Sequence, residues 1–329
     1  PAAIAAATFL VMPTLFAQDL GGVHEPGIFD GPSYSPYAGR NFPNTPLWGD
    51  THLHTTLSFD AGAFGNRLGP EEAYRFARGE EITSTGGYEV RLSRPLDFLV
   101  VADHSDNMGL FTMIFESDPS ILADSEGRRI HDMIQAGGQT AVAASVELID
   151  TFSRGEEISD ALSVEPGSRS FTSTWERIVS AAEDYNDPGN FTAFIGYEWT
   201  SLVNTGDNLH RVVIYRDGAD MALRHEPYTT MPPFGSPDPM DLWEWMEGVE
   251  SASGGDVLAL AHNGNMSNGI MFPVNRQYTG RRIDDDYVNA RAKWEPLYEV
   301  TQIKGDGETH PYLSADDEFA DYETWAKGN

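Results

Sequence analysis

The sequence predicts an α/β fold, a barrel of alternating strands and helices with its active site at the carboxyl ends of the strands. Three observations predict it. Apolar runs of strand length alternate with helical segments, which argues for a parallel sheet. Histidines and carboxylates collect where the strands end, as they do at the rim of such a barrel. The chain of 329 residues, 40% hydrophobic, is ample for one large domain.

Taken in order, Ala2–Ala17 is apolar, uncharged and closed by a small residue before Gln18-Asp19. It reads as the back half of a secretory signal cleaved after Ala17, too short to span a bilayer, and implies a secreted or periplasmic protein. An apolar helix packed on the domain is the alternative. Residues 18–46 form an irregular lead-in rich in Gly, Pro, Asn and Tyr. The domain proper is expected over 47–329.

It opens with Trp48-Gly49-Asp50-Thr51-His52-Leu53-His54-Thr55, the end of a buried strand whose period of two puts His52 and His54 on one face. Nine histidines spread over this length give only about 0.2 such His-x-His pairs by chance. Pro70 at a first helical position, acids behind it and Gly79 at the end predict a helix over Pro70–Arg78. A hairpin is expected over 81–93 around Gly86-Gly87, then a buried strand over Leu96–Ala102 that ends in Asp103-His104. Helices over Asn107–Phe115, about Gln139–Phe152 and Ser170–Tyr185 make a helical insert at about 105–190. Phe191–Tyr197 runs as a strand into Glu198-Trp199, and Leu209–Tyr215 is a strand that begins beside His210. Antiparallel pairing with the preceding strand would bring His210 back to Glu198. Helix Met240–Glu250, strand Asp256–Ala261 ending in His262, short strand Pro296–Val300 and an acidic helix over Asp316–Ala326 follow.

Composition narrows the function. A net charge of −30, with three lysines and eighteen arginines, repels nucleic acid and anionic lipid, so neither is expected as a partner. The absence of cysteine excludes disulfides and thiolate metal sites. His, Asp and Glu remain as ligands, suited to zinc, manganese, iron or magnesium. No Gly-rich nucleotide fingerprint and no Gly-x-Ser-x-Gly elbow is present.

The ordered set His52-x-His54, Asp103-His104, Glu198, His210 and His262 resembles the PHP (polymerase and histidinol phosphatase) superfamily, from about Leu47 to at least Val300. The wording of Leu47–His54 and Asp97–Ser105 looks closest to its bacterial branch named domain of unknown function 3604. The resemblance implies a distorted (β/α)7 barrel around two or three divalent ions, zinc, manganese or iron. It implies His52 and His54 as ligands of a first metal, His104 as ligand of a neighbouring one, and Glu198 as the bridging carboxylate. It further implies His210 and His262 as ligands completing the other positions, with Asp60 as a ligand after the first strand. Asp103 is expected to orient a ligand rather than to be one. The superfamily's late Asp-x-His pair is missing; Glu308 and His310 are the nearest substitutes, and the closing strands are expected beyond Asn329, the chain being read as a fragment.

Such a centre implies a metal-dependent hydrolase in which an activated water attacks a small anionic ester, a phosphate or a related sulfate ester. Arg67 is the preferred cation to hold the substrate anion, with Lys304 next and Arg94 a further candidate. An amidohydrolase-like C–N hydrolase and a non-catalytic metal-binding domain are the alternatives.

Overall fold

The first strand pairs in parallel with the strand expected over 96–102, and it is exposed or half-buried along its length rather than buried, since Gly49 and Asp50 lie open to solvent. In the computed structural model, which describes residues 45–307, 311, 312, 315–318 and 320, β1 (Gly49–Leu53) leads through α1 (Phe59–Ala63), α2 (Pro70–Ala77) and the hairpin β2 (Ile82–Thr83) and β3 (Glu89–Val90) to β4 (Phe98–Val101). A Cβ at Gly49 would lie 2.4 Å from the Phe98 carbonyl oxygen, so glycine permits the close approach of β1 to β4. Helix α2 starts as the sequence predicts: Glu72 accepts the Gly69 N–H at 3.0 Å, and Tyr74 and Ala77 face inward. Leu99, Val100 and Val101 of β4 are buried on both faces of the sheet.

The insert is helical, with α3 (Leu110–Phe115), α4 (Pro119–Ala123), α5 (Ser125–Ala136), α6 (Gly138–Ser153) and α7 (Arg169–Tyr185). The side chains of Asp118, Asp124 and Ser168 accept backbone N–H groups at the starts of α4, α5 and α7. Helix α3 starts three residues later than the sequence suggested. Asn107 and Gly109, at φ 55° and 85°, sit in the left-handed region, which a right-handed helix cannot include.

The apolar run after the insert is two strands, β5 (Thr192–Phe194) and β6 (Gly196–Trp199), because its halves pair with different neighbours. After a hairpin of β7 (Leu202–Val203) and β8 (Asp207–Asn208) come β9 (Arg211–Tyr215), α8 (Ala219–Ala222), α9 (Pro239–Ser253) and β10 (Val257–Ala261). The described chain then runs through α10 (Asp285–Trp294), β11 (Leu297–Tyr298) and a hairpin of β12 (Thr301–Gln302) and β13 (Gly305–Asp306).

Two sheets carry the site. One has the parallel order β1-β4-β5. The other has the order β11-β10-β9-β6, in which β9 runs antiparallel to both neighbours. A parallel bridge between His104 and Glu198 links them. The α/β class holds, as a mixed assembly of helices and small sheets; among the described residues the strands do not close into a barrel.

Strand alternation divides the core. Val212 and Ile214 of β9 join Val100, Ala102 and Leu260 in a small cluster. Val213 and Tyr215 face the large one, which includes Trp175, Trp199 and Trp243 beneath the helices. Each large apolar side chain so buried contributes roughly 1.5–3 kcal/mol. The signal segment, most of the lead-in, Glu308 and His310 lie outside the described residues. Of the span 316–326, expected as an acidic helix, residues 316–318 and 320 are described and are not helical.

Candidate metal centre

Six strand ends deliver the site. His52 lies in β1 and His54 just beyond it. Thr55 then donates through its N–H and its hydroxyl to Asp103, at 2.5 and 2.6 Å, fastening the loop after β1 to the loop after β4. Asp60, in the first turn of α1, lies 2.9 Å from His54 Nδ1 and 3.2 Å from His104 Nε2, and is itself held by the Ser58 hydroxyl at 2.6 Å. Register places Glu198 opposite Val212 and Trp199 opposite Arg211, so antiparallel pairing returns His210 to Glu198. His262 follows β10 and Glu299 follows β11.

Glu198 is the hub, with no exposed surface. Its Oε2 lies 2.9 Å from His52 Nε2 and 2.7 Å from His54 Nε2. Its Oε1 lies 2.5 Å from His210 Nδ1 and 3.1 Å from His262 Nε2, with His104 Nδ1 at 3.7 Å. His52 turns its other nitrogen to Glu299 at 2.9 Å.

Burial alone would raise the Glu198 carboxyl, but the surrounding imidazoles, His104 and His262 foremost, hold it well below the usual carboxylate range. The same contest, with His104 and His54, holds Asp60 low. Burial lowers His52 too, yet the Glu198 charge and hydrogen bonds to Glu198 and Glu299 outweigh it and bring that imidazole to about 9. For His210 and His262 burial wins over Glu198, to about 3 and about 4. Those two are neutral at physiological pH, the state in which an imidazole donates to a metal. Asp103 is pushed up to about 6 by burial, against its hydrogen bonds from Thr55.

The donor set fits divalent ions. His54 Nε2 and His210 Nδ1 approach Glu198 closely yet are not aligned to hydrogen-bond it, and His210 Nε2 and His262 Nδ1 are also buried without a hydrogen-bond partner. Buried donors left unpaired are costly, so lone pairs that converge without meeting a proton point to a cation. Four groups of three have their ligand atoms within 4.8 Å of one another: His52/His262/Glu299, His52/His54/Glu198, His54/Asp60/His104 and His104/Glu198/His210. His52, His54 and His104 each belong to two groups. A neutral imidazole has one lone pair to give, so at most two of the four groups can be complete at once.

Over residues 41–329 the chain matches the family described as Protein of unknown function (DUF3604). The chain belongs to that family. No curated protein matches its sequence.

In this DUF3604 chain the structure brings together His52, His54, Asp60, His104, Glu198, His210 and His262, with Asp103 one hydrogen bond behind through Thr55. Beside them opens a pocket of about 480 Å³ whose lining includes His52, His54, Asp60, Glu299 and Lys304. Arg67, the preferred anion contact from sequence, does not line it. Its guanidinium lies 3.1 Å over the Phe115 ring, a cation–π contact that turns it away. Arg94 is exposed and outside the lining as well. Among the described residues, Lys304 is the one lysine or arginine in the lining. Sequence reasoning passed over Glu299, which it placed inside a strand over 296–300; β11 ends at Tyr298 and leaves the carboxylate directly after the strand. It also passed over Thr200, whose hydroxyl makes a short contact with His104 Nδ1.

Proposed function

We propose that this chain is a PHP-superfamily hydrolase that cleaves phosphate or related sulfate esters at a centre of two divalent ions, zinc, manganese or iron. The observation that supports this most is the set of five histidines and three carboxylates converging beside an open pocket. When bound, the ions supply Lewis acidity and an activated water. The chain's own groups do the rest. Asp60 hydrogen-bonds His54 Nδ1 and so leaves Nε2 to face Glu198. Asp103 fixes the loop that carries His54. Glu198, with histidines on both of its oxygens, is the carboxylate placed to serve both ions. Lys304 supplies the pocket's positive side chain against an otherwise acidic surface.

Elemental analysis of purified protein, followed by turnover of chromogenic phosphate and sulfate esters set against an amide panel, tests the reading. Two ions per chain with ester turnover that a chelator abolishes is the expected result. Amide cleavage without ester cleavage would make it a C–N hydrolase, and bound ions without turnover would make the centre structural. Either outcome overturns the proposal.

A further inference from the structure

The hairpin of β12 and β13 is held against the metal centre at several points. Gln302 donates from Nε2 to Glu299 Oε1 at 2.9 Å, the carboxylate whose other oxygen faces His52. Asn265 Nδ2 donates to the Lys304 carbonyl at 2.9 Å, and the Gly307 N–H closes onto the Val300 carbonyl at 2.8 Å. These bonds fix the hairpin tip, Ile303-Lys304, in the lining of the pocket.

The tip's single cation sets the charge the pocket can accept. Among the described residues, Asp50, Asp60 and Glu299 line the pocket and Glu198 and Asp103 lie behind them, five carboxylates against two divalent ions and Lys304. No positive charge is left over. A singly charged ligand therefore adds one uncompensated negative charge. A doubly charged one adds two inside a chain that already carries −30, and a charge removed from water without a partner is disfavoured.

We infer that the site selects singly charged tetrahedral ester groups, phosphodiesters or sulfate monoesters, over doubly charged phosphate monoesters, with Lys304 as the contact to the anion. This rests on the metal-centre reading above, and its test is one of binding, so it does not depend on catalysis.

The probes are phenylphosphonate, in weakly alkaline buffer where it carries two charges, its monomethyl ester, which carries one, and benzenesulfonate, which also carries one and stands in for a sulfate monoester. Affinities are measured by calorimetry on the ion-loaded full chain. At least one singly charged probe is expected to bind about tenfold or more tightly than phenylphosphonate, and which one binds better identifies phosphodiester or sulfate ester as the natural source. Lys304→Met is expected to weaken that probe about tenfold, the loss of one charge-assisted contact. Arg154→Met removes the same charge from an exposed position, paired with Asp150 and Glu156 at the end of α6, and should leave binding unchanged. Phenylphosphonate binding as well as the singly charged probes, or a Lys304→Met protein binding like the wild type, overturns the inference. Selective binding with no turnover of the corresponding esters instead sinks the hydrolase reading alone, and a chain that takes up no ions defeats both.

Discussion

The same strands serve two regions built by opposite rules. Beneath the helices, Trp175, Trp199 and Trp243 are almost wholly buried, and the polar atoms on two of them are paired: Trp175 Nε1 donates to the Ala222 carbonyl and Trp243 Nε1 to Glu295. At the strand ends, Glu198, His210 and His262 are buried as deeply, but imidazole nitrogens stand unpaired. The first region lowers the free energy of the folded chain by removing apolar surface from water. The second raises it, since each unsatisfied buried polar group costs about 1–3 kcal/mol. Unpaired nitrogens of this kind are ones a bound cation would satisfy. Substitutions in the two regions should therefore separate, one affecting folding and the other ion binding.

The largest effect is expected in the apolar region. Trp175 packs edge-on against Tyr197, with ring centroids 6.0 Å apart, and a truncation there cannot be filled by collapse of α7 onto β6 without moving both. Trp175→Ala should lower unfolding free energy by about 3–5 kcal/mol in denaturant titration while the folded fraction keeps its full ion content. Loss of ions from still-folded protein would show that the regions are not separable.

Glu198→Gln is the converse. The amide keeps the shape but loses the charge that faces His52, His54, His210 and His262. Turnover should fall at least about a hundredfold with part of the bound metal lost, the range for disrupted ligand shells. Divalent ion at about a hundred times its Kd should stabilise the wild type by about 2.7 kcal/mol and the variant by much less. A variant with wild-type rates would reduce Glu198 to an ordinary buried carboxylate.

How much of this was legible in the sequence follows from the same division. His104 and His262 could be placed because each follows an apolar run whose length announces a strand, and His54 because a strand's period of two puts it on one face with His52. His210 needed one further step, the antiparallel return of β9 beside β6, and the register supplies it. Glu299 was missed for two reasons: the strand read over 296–300 took it in, whereas β11 ends at Tyr298 and leaves it at the strand end, and one acid among 51 carries no signal. Arg67 went astray because loop direction is set by tertiary contacts, here the Phe115 ring, that no local pattern encodes. The division of 192–199 between two sheets was invisible for a related cause, since apolar residues on both sides of the break look alike until partners are chosen.

The smallest effect sharpens the comparison most, because it lies where the two regions are furthest apart. Gln302 is a half-buried polar residue of β12, and its amide holds Glu299, which holds His52, which reaches Glu198. Gln302→Leu frees the Glu299 carboxylate to turn while removing no metal-facing side chain. Groups that orient a ligand typically change metal affinity by 10-fold or more when removed, so a weakening of about tenfold is expected in competition with a fluorescent chelator. The ion-free protein should keep its denaturant midpoint, within the roughly 0.5 kcal/mol typical of changes outside a core. Unchanged ion affinity would make the Gln302–Glu299 contact incidental and remove Glu299 from the centre. A drop in ion-free stability of several kcal/mol would mean instead that the hairpin is part of the fold's foundation, and the separation of stability from binding would fail at the point where it should be cleanest.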